Sequence, residues 1–402
     1  SSNSANNWLE KFRLSNSRLI LLVSLVFTLL YNQAFFRNTL DVYAGSDSSL
    51  FFLVSLAAFL FSVTVLLLSV LCLPWLTKPV LIVSVVGAAV ANYFMNTYNI
   101  VVDTTMLINV VNTDPAEVSD LLTMRVITQI LAFGLLPALL IFKLRIQNGS
   151  LGHELLQRLK LAGFALALLV ISVAPLTPFY TSFFREHKIL RYYANPATFI
   201  YSAGKYLDMA LSQPSNNVLV KLGVDAHTPV NDKDRELIIL VIGEAARADR
   251  FSLNGYERLT NPLLAREDVI SFTDVTSCGT ATAYSLPCMF AYATREEFSL
   301  DEANSTENLL NVLQYADVQV LWRDNNSDSK GVADSVTFES FKTEETNQHC
   351  DIECRDVGTL DGLDTFINAK TTGDVVIVLH QMGNHGPAYY KRYPSEFEQF
   401  TP

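Results

Sequence analysis

Five apolar runs dominate the first half of the chain, at Leu19–Phe36, Leu50–Leu71, Val80–Tyr98, Val126–Phe142 and Leu161–Tyr180. Each is long enough, or nearly so, to cross a hydrocarbon core, which takes about 20 helical residues. Past Tyr180 the pattern changes. Short β-branched runs follow at Leu237–Ile242, Val318–Trp322 and Val375–Leu379, separated by helical segments such as Thr306–Tyr315. Strands alternating with helices predict a parallel α/β sheet covered by helices on both faces. The chain therefore reads as a five-helix transmembrane domain over residues 1–180 and an α/β domain over residues 236–402. Between them, residues 181–235 mix Arg185, Lys188, Arg191 and aromatics with the stretch Gln213-Pro-Ser-Asn-Asn. Basic and aromatic residues just past a span suit the lipid interface, so a bridging helix and linker are expected there.

Charge sets the orientation. Lys11, Arg13 and Arg18 precede the first run, Lys78 lies in the second turn, and Lys143, Arg145, Arg158 and Lys160 fill the loop between runs four and five. The opposite loops carry Asp41, Asp47, Asp103, Asp114, Glu117 and Asp120 against Arg37 and Arg125. The positive-inside rule puts the N-terminus in the cytoplasm, and five crossings put everything after Tyr180 on the far side. The first run is too long for a cleavable signal, and no small-residue cleavage site follows it.

Half of the 402 residues are hydrophobic, too many for an ordinary soluble protein. Residues 1–180 carry 10 Lys+Arg and 8 Asp+Glu, residues 181–402 carry 19 and 32. A near-neutral apolar half joined to an acidic polar half means two domains in two solvents. The acidic half excludes nucleic acid as a partner, because phosphate-backbone binding needs a basic face. Cys72 sits in an apolar run and reads as an inert buried thiol. The other four cysteines form close pairs in the polar half, Cys278/Cys288 and Cys350/Cys354. Zinc is the alternative for such pairs, but only the second approaches a zinc-knuckle spacing and no matching CxxC completes it. Read as disulfides, they imply an oxidising compartment, in agreement with the orientation.

Ligands of parallel sheets bind at the carboxyl ends of the strands. Glu244 follows the first β-branched run, Arg323, Asp324, Asn325 and Asn326 the second, and His380, Asn384 and His385 the third. A helix-compatible run begins at Ala281, beside Thr282. A hydroxyl at a helix N-terminus favours an anionic phosphate ester, and a metal held by Glu244 would lower its pKa. The competing role for Thr280 and Thr282 is helix N-capping. His385, flanked by Gly383 and Gly386, suits metal or phosphate contact as well as plain loop packing. His380 reads as a hydrogen-bonded structural residue, and His153, His187, His227 and His349 receive no role. In the first half, Asn109, Thr113 and Glu117 recur at i, i+4, i+8 and would share one helix face, either a solvated face or a ligand site.

Four segments carry a resemblance: Gly243-Glu244-Ala-Ala-Arg-Ala-Asp-Arg250, Ser277-Cys-Gly-Thr-Ala-Thr-Ala-Tyr-Ser-Leu-Pro-Cys288, Trp322-Arg-Asp-Asn-Asn-Ser-Asp-Ser-Lys330 and His380-Gln-Met-Gly-Asn-His-Gly-Pro387. Together they resemble the lipid A phosphoethanolamine transferases, including the mobilised colistin-resistance enzymes. The resemblance implies five transmembrane helices in the bacterial inner membrane and a periplasmic domain of the alkaline phosphatase/sulfatase-like fold. It implies transfer of phosphoethanolamine from phosphatidylethanolamine to a lipid A phosphate through a phosphothreonine, with polymyxin and colistin resistance as the outcome. Thr282 would be the nucleophile, and Glu244 with Thr282 would bind the catalytic Zn2+. His385 would lie near a second metal or the phosphate. Asn326, Ser327 and Lys330 would hold the phosphate or head group, and Asn109, Thr113 and Glu117 would face the ethanolamine. The competing readings are phosphoglycerol or phosphoethanolamine transfer to a periplasmic glycan, and a non-catalytic membrane-anchored binding module. One departure stands out. The family completes its zinc site with an Asp-His pair, and no Asp-His dipeptide occurs in this sequence, which stops at Phe400-Thr-Pro402. The expectation is a chain incomplete at its C-terminus, with part of the sheet absent, weak zinc binding and no transfer by residues 1–402 alone.

Overall fold

The computed structural model describes residues 13–43, 49–113, 115–147, 149–212, 219–370, 372–386 and 388–398. The sequence expectations at Lys11, Asp47, Asp114, Gln213-Pro-Ser-Asn-Asn, Pro387 and Phe400-Thr-Pro402 lie outside those residues, as does the side chain of Glu117. Two compact units form: Ser1–Val110 with Leu122–Gln213, and Val111–Leu121 with Pro214–Pro402.

Among the described residues of the first unit, four helices are long and apolar enough to cross a membrane: Leu50–Leu71, Thr77–Tyr98, Met124–Lys143 and Leu151–Glu186. The first expected span is different. It is a pair of helices, Asn16–Leu30 and Gln33–Tyr43, bent by 51° at the break between them. The cause is a polar pair buried in an apolar setting, where every backbone group needs a partner inside the protein. Asn32 Nδ2 donates to the Phe27 carbonyl at 2.9 Å and to the Asn195 carbonyl at 2.6 Å, and the Asn195 N–H donates to Asn32 Oδ1 at 2.8 Å. Asn32 thus caps the end of one helix while tying it to a residue 163 positions away. The last span is also longer than the apolar run predicts. It starts at Leu151, capped by Ser150, and passes through a 3-10 turn at Ala174–Leu176. Two short strands, β1 (Arg13–Ser15) and β2 (Arg145–Gln147), pair in parallel in this unit. Too short and polar to leave a hydrophobic pattern, they have no counterpart in the sequence reading.

The stripe Asn109–Thr113–Glu117 does not lie on one helix. One helix spans Thr104–Asn112 and another Pro115–Leu121, with Thr113 outside both. Proline is favoured at a first helical position because its missing N–H is an orphan there anyway, and here Pro115 starts the new helix.

The second unit contains a parallel sheet of β3 (Leu237–Ile242), β4 (Gln319–Asp324), β5 (Thr337–Ser340) and β6 (Val375–His380), in the order β3-β6-β4-β5. The three predicted strands are β3, β4 and β6, while β5 was not predicted. Helices cover both faces of the central strands. Leu286, Phe290 and Leu310 pack on Trp322, Val376 and Val378 from one side. Leu363 and Phe366 pack on Leu321, Ile377 and Leu379 from the other. By contrast, Leu237–Val241 of the edge strand β3 are exposed. Two disulfides join Cys278 to Cys288 and Cys350 to Cys354, and Cys72 is free and buried. Peptide mapping without reductant is expected to recover both bridges and alkylate only Cys72. Recovery of all four partners as thiols would contradict the oxidising compartment.

Candidate active site

Parallel register brings the strand ends into one row. Ile242 pairs with His380, His380 with Asp324, and Asp324 with Ser340. Side chains just past that row come from three strands and meet at one edge of the sheet.

Glu244 follows β3 by two residues. The next residue, Ala245, has φ 51°, a left-handed conformation that costs a non-glycine residue about 1–2 kcal/mol. The Gln381–His385 loop holds Glu244 from the other side. The Asn384 N–H donates to the Glu244 carbonyl at 3.1 Å. Gly383 has φ +51°, and a Cβ there would come within 2.9 Å of the Glu244 carbonyl oxygen and 3.0 Å of its nitrogen. Glycine is required at this position by both conformation and space. The loop is itself pinned by Asp356, whose carboxylate accepts the Met382 N–H at 2.7 Å, the Gly383 N–H at 3.0 Å and Asn325 Nδ2 at 2.8 Å. Asp356 lies outside every predicted element, and no periodicity or motif points to it.

Thr282 is the first residue of the helix Thr282–Phe290, and the N-cap position belongs to Ala281. Neither Thr280 nor Thr282 is therefore the N-cap, which disposes of the bland alternative. Instead the Thr282 hydroxyl donates to Glu244 Oε2 at 2.7 Å. The Cys278–Cys288 bridge spans the turn into this helix, so the hydroxyl is presented from a covalently closed loop.

Two more predicted residues reach the same carboxylate. Asn326, fully buried, donates through Nδ2 to Glu244 Oε2 at 3.4 Å and to the Gln381 carbonyl at 2.7 Å. His385 Nδ1 lies 3.8 Å from Glu244 Oε1. Burial alone would raise the Glu244 pKa. The nearby His385 imidazole and the Thr282 hydroxyl, with a smaller electrostatic contribution from His380, outweigh it and hold the carboxyl below its ordinary value. A carboxylate held that way is a weak base at neutral pH and a good ligand for a cation.

Beneath the pair lies a buried network. Asp324 is fully buried and accepts from His380 Nδ1 at 2.7 Å, Trp322 Nε1 at 3.0 Å and the Asn326 N–H at 2.8 Å. His380 is thus the structural histidine the sequence suggested. Asp324 was flagged as a strand-end residue without this role, which the continuous burial of β4 does not reveal. Burial pushes the Asp324 pKa up, but the His380 contact, Trp322 and the Asn326 N–H more than offset that and leave it lowered.

Two further predicted residues, Lys330 and Ser327, line cavities. Lys330, with φ 53°, donates from Nζ to the Ser327 carbonyl at 2.7 Å and lines a separate cavity of about 500 Å³ beside Pro287 and Val332. Ser327 lines a second cavity of about 480 Å³, together with His385, Asn325 and Arg392. As for metal donors, Glu244 and Thr282 offer two oxygens and His385 a nearby imidazole. Among the described residues no group of three or more His, Cys, Asp or Glu side chains is placed to hold an ion.

Residues 60–211 match the family model "Phosphoethanolamine transferase EptA/EptB", and residues 236–402 match the sulfatase family model. The chain is 44% identical over 397 residues to the phosphatidylethanolamine transferase Mcr-1 of Escherichia coli, an alignment covering 96% of this chain and 73% of that one. It is 35% identical over 390 residues to the phosphoethanolamine transferase EptA of Escherichia coli K12, covering 95% and 71%. Among solved structures, the integral membrane lipooligosaccharide phosphoethanolamine transferase A of Neisseria meningitidis superposes with a TM-score of 0.89 at 33% identity, over 97% of this chain and 73% of that one.

Proposed function

We propose, for a chain that belongs to the phosphoethanolamine transferase family, that it moves phosphoethanolamine from phosphatidylethanolamine to a lipid A phosphate and so confers colistin resistance. The observation that carries the mechanism is the 2.7 Å contact between the Thr282 hydroxyl and the Glu244 carboxylate at the start of a disulfide-closed helix. In the first half-reaction Thr282 Oγ1 attacks the donor phosphorus. A Thr282 O–P bond forms, the P–O bond to diacylglycerol breaks, and the glycerol oxygen leaves with a proton. In the second, a lipid A phosphate oxygen attacks the phosphothreonine phosphorus, the Thr282 O–P bond breaks, and the threonine oxygen takes up the proton that the acceptor phosphate gives up. The free N–H groups at the start of the Thr282–Phe290 helix are the backbone donors available to the phosphoryl oxygens. Asn326 and Gly383 keep Glu244, and through it Thr282, in one orientation, and effective concentration of an aligned nucleophile is a large part of such catalysis.

Zinc is the ion this reading requires. Glu244 and Thr282 would supply two of its donors, and the lowered Glu244 pKa suits a cation ligand. When bound, the ion would supply the charge that stabilises a threonine alkoxide. The described residues do not close a tetrahedral set, which structural zinc sites complete with four protein ligands and catalytic sites with three. In this reading the N-terminus is cytoplasmic, the membrane is the bacterial inner membrane, and the sheet-containing unit works in the periplasm.

Mass analysis of lipid A tests the function. The full-length gene product, expressed in a polymyxin-sensitive strain lacking other transferases, should add one phosphoethanolamine increment to lipid A. The same increment on a periplasmic glycan, with lipid A unmodified, would move the assignment to the sister activity. Asn109→Ala and Glu117→Ala should each lower lipid A modification by about tenfold, because a carboxylate and an amide can pair with the ethanolammonium of the donor. Unchanged modification in both, at matched expression, would return them to a solvated surface.

A further inference from the structure

The segment Val111–Leu121 leaves the first unit and belongs to the second. It carries Thr113 and Glu117, and one contact explains why it stays. Lys391 Nζ meets Asp120 Oδ1 at 2.5 Å, across 271 positions of sequence. The lysine side chain is 18% exposed and the aspartate 9%. The second oxygen, Asp120 Oδ2, is buried without a hydrogen-bond partner among the described residues. A surface ion pair is worth little, but a shielded one is costly to break, because the surviving charge is left buried and unpaired.

Lys391 is tied to the reaction site through its neighbours. Its carbonyl accepts from Arg355 Nη1, and Arg355 pairs with Asp351 at 2.6 Å. Asp351 sits inside the loop closed by Cys350–Cys354. The next residue, Arg392, donates from Nε to the His385 carbonyl at 2.7 Å and pairs with Glu353 of the same disulfide loop. His385 in turn faces Glu244. A continuous path thus runs from Asp120 through Lys391 and Arg392 to the loop beside the Thr282–Glu244 pair.

We infer that Asp120 and Lys391 are a positioning pair. They hold the segment bearing Thr113 and Glu117 within the sheet-containing unit so that a lipid donor, with its ethanolammonium, is bound in register with Thr282. The inference rests on the functional reading above and adds residues which that reading does not use. It makes a specific demand. The pair should matter for a donor anchored in a bilayer, and not for a small soluble phosphodiester that reaches Thr282 directly.

The test uses the full-length protein in phospholipid nanodiscs. Donors are fluorescently labelled phosphatidylethanolamine and soluble p-nitrophenyl phosphoethanolamine, and the variants are Asp120→Asn, Asp120→Lys, Lys391→Asp and the double exchange. Each single variant should lower turnover of the lipid donor by about tenfold, chiefly through KM, as expected when one member of a shielded pair is removed. The double exchange should restore it to within about threefold, and turnover of the soluble donor should stay within about twofold of the unaltered protein throughout. Equal loss with both donors would show that the pair merely supports the fold and would overturn the inference. So would full lipid-donor turnover in the near-isosteric Asp120→Asn. If the unaltered protein formed no adduct on Thr282 with either donor, the functional reading itself would fall, and the role of the pair with it.

Discussion

Replacing Thr282 by alanine is expected to abolish transfer, by at least about a thousandfold, as removal of a covalent nucleophile does in enzymes whose catalytic groups act as a unit. The fold should barely notice. The change deletes one hydroxyl, whose partner Glu244 keeps Asn326 and His385 within reach, and a single neutral hydrogen bond is worth about 1 kcal/mol. Thr280→Ala is the matched control. Thr280 is exposed and precedes the N-cap residue Ala281, so its loss should leave most activity. Thermal unfolding together with lipid A mass analysis separates the two effects. A Thr282→Ala protein that still modified lipid A would remove the threonine from the mechanism.

The second large effect concerns stability. Asp324→Asn should destabilise the sheet-containing unit by about 3–5 kcal/mol, the order expected when a buried carboxylate is removed from the donors it satisfies. Asp324 is fully buried and accepts from His380, Trp322 and the Asn326 backbone. An asparagine would turn an N–H2 group toward one of those donors. For a domain of this size the loss corresponds to about 10 °C or more in Tm. The pH dependence has a definite sign. The Asp324 pKa is lowered in the folded chain, so its contribution is complete above the unfolded carboxylate value of about 3.9 and is lost as pH falls through the folded value. Asp324→Asn should flatten that acid limb. A Tm within about 2 °C of the unaltered protein would show the network to be dispensable.

Much of this architecture could be seen in the sequence because periodicity reports burial. Three of the four sheet strands were evident as continuous β-branched runs, since β4 and β6 are buried on both faces. The fourth, Thr337–Ser340, was missed because its residues are mostly exposed and only four long. The membrane helices followed from length and hydropathy, but the 51° bend did not. That bend depends on Asn32 meeting Asn195, a tertiary contact invisible to a local pattern. The single helix face expected for Asn109, Thr113 and Glu117 does not form, for a local reason in plain sight, since Pro115 opens a second helix within it. At the site, Glu244, Thr282, Asn326 and His385 stood out as polar residues at strand or helix ends, and the structure brings all four together. Lys330 was grouped with them by motif alone, and its ammonium bonds the Ser327 carbonyl of its own loop. Asp356, Gly383 and the Asp120–Lys391 pair act through contacts across tens or hundreds of residues, and spacing carries no trace of such contacts.

The central claim is a phosphothreonine at one position. Incubating the full-length protein in nanodiscs with phosphatidylethanolamine and no acceptor, then mapping its peptides by mass, tests it directly. The account predicts one phosphoethanolamine increment on the peptide bounded by Cys278 and Cys288, localised by fragmentation to Thr282, and its disappearance when lipid A is added. An increment on Thr280 or elsewhere, or an adduct that persists in Thr282→Ala, would contradict it.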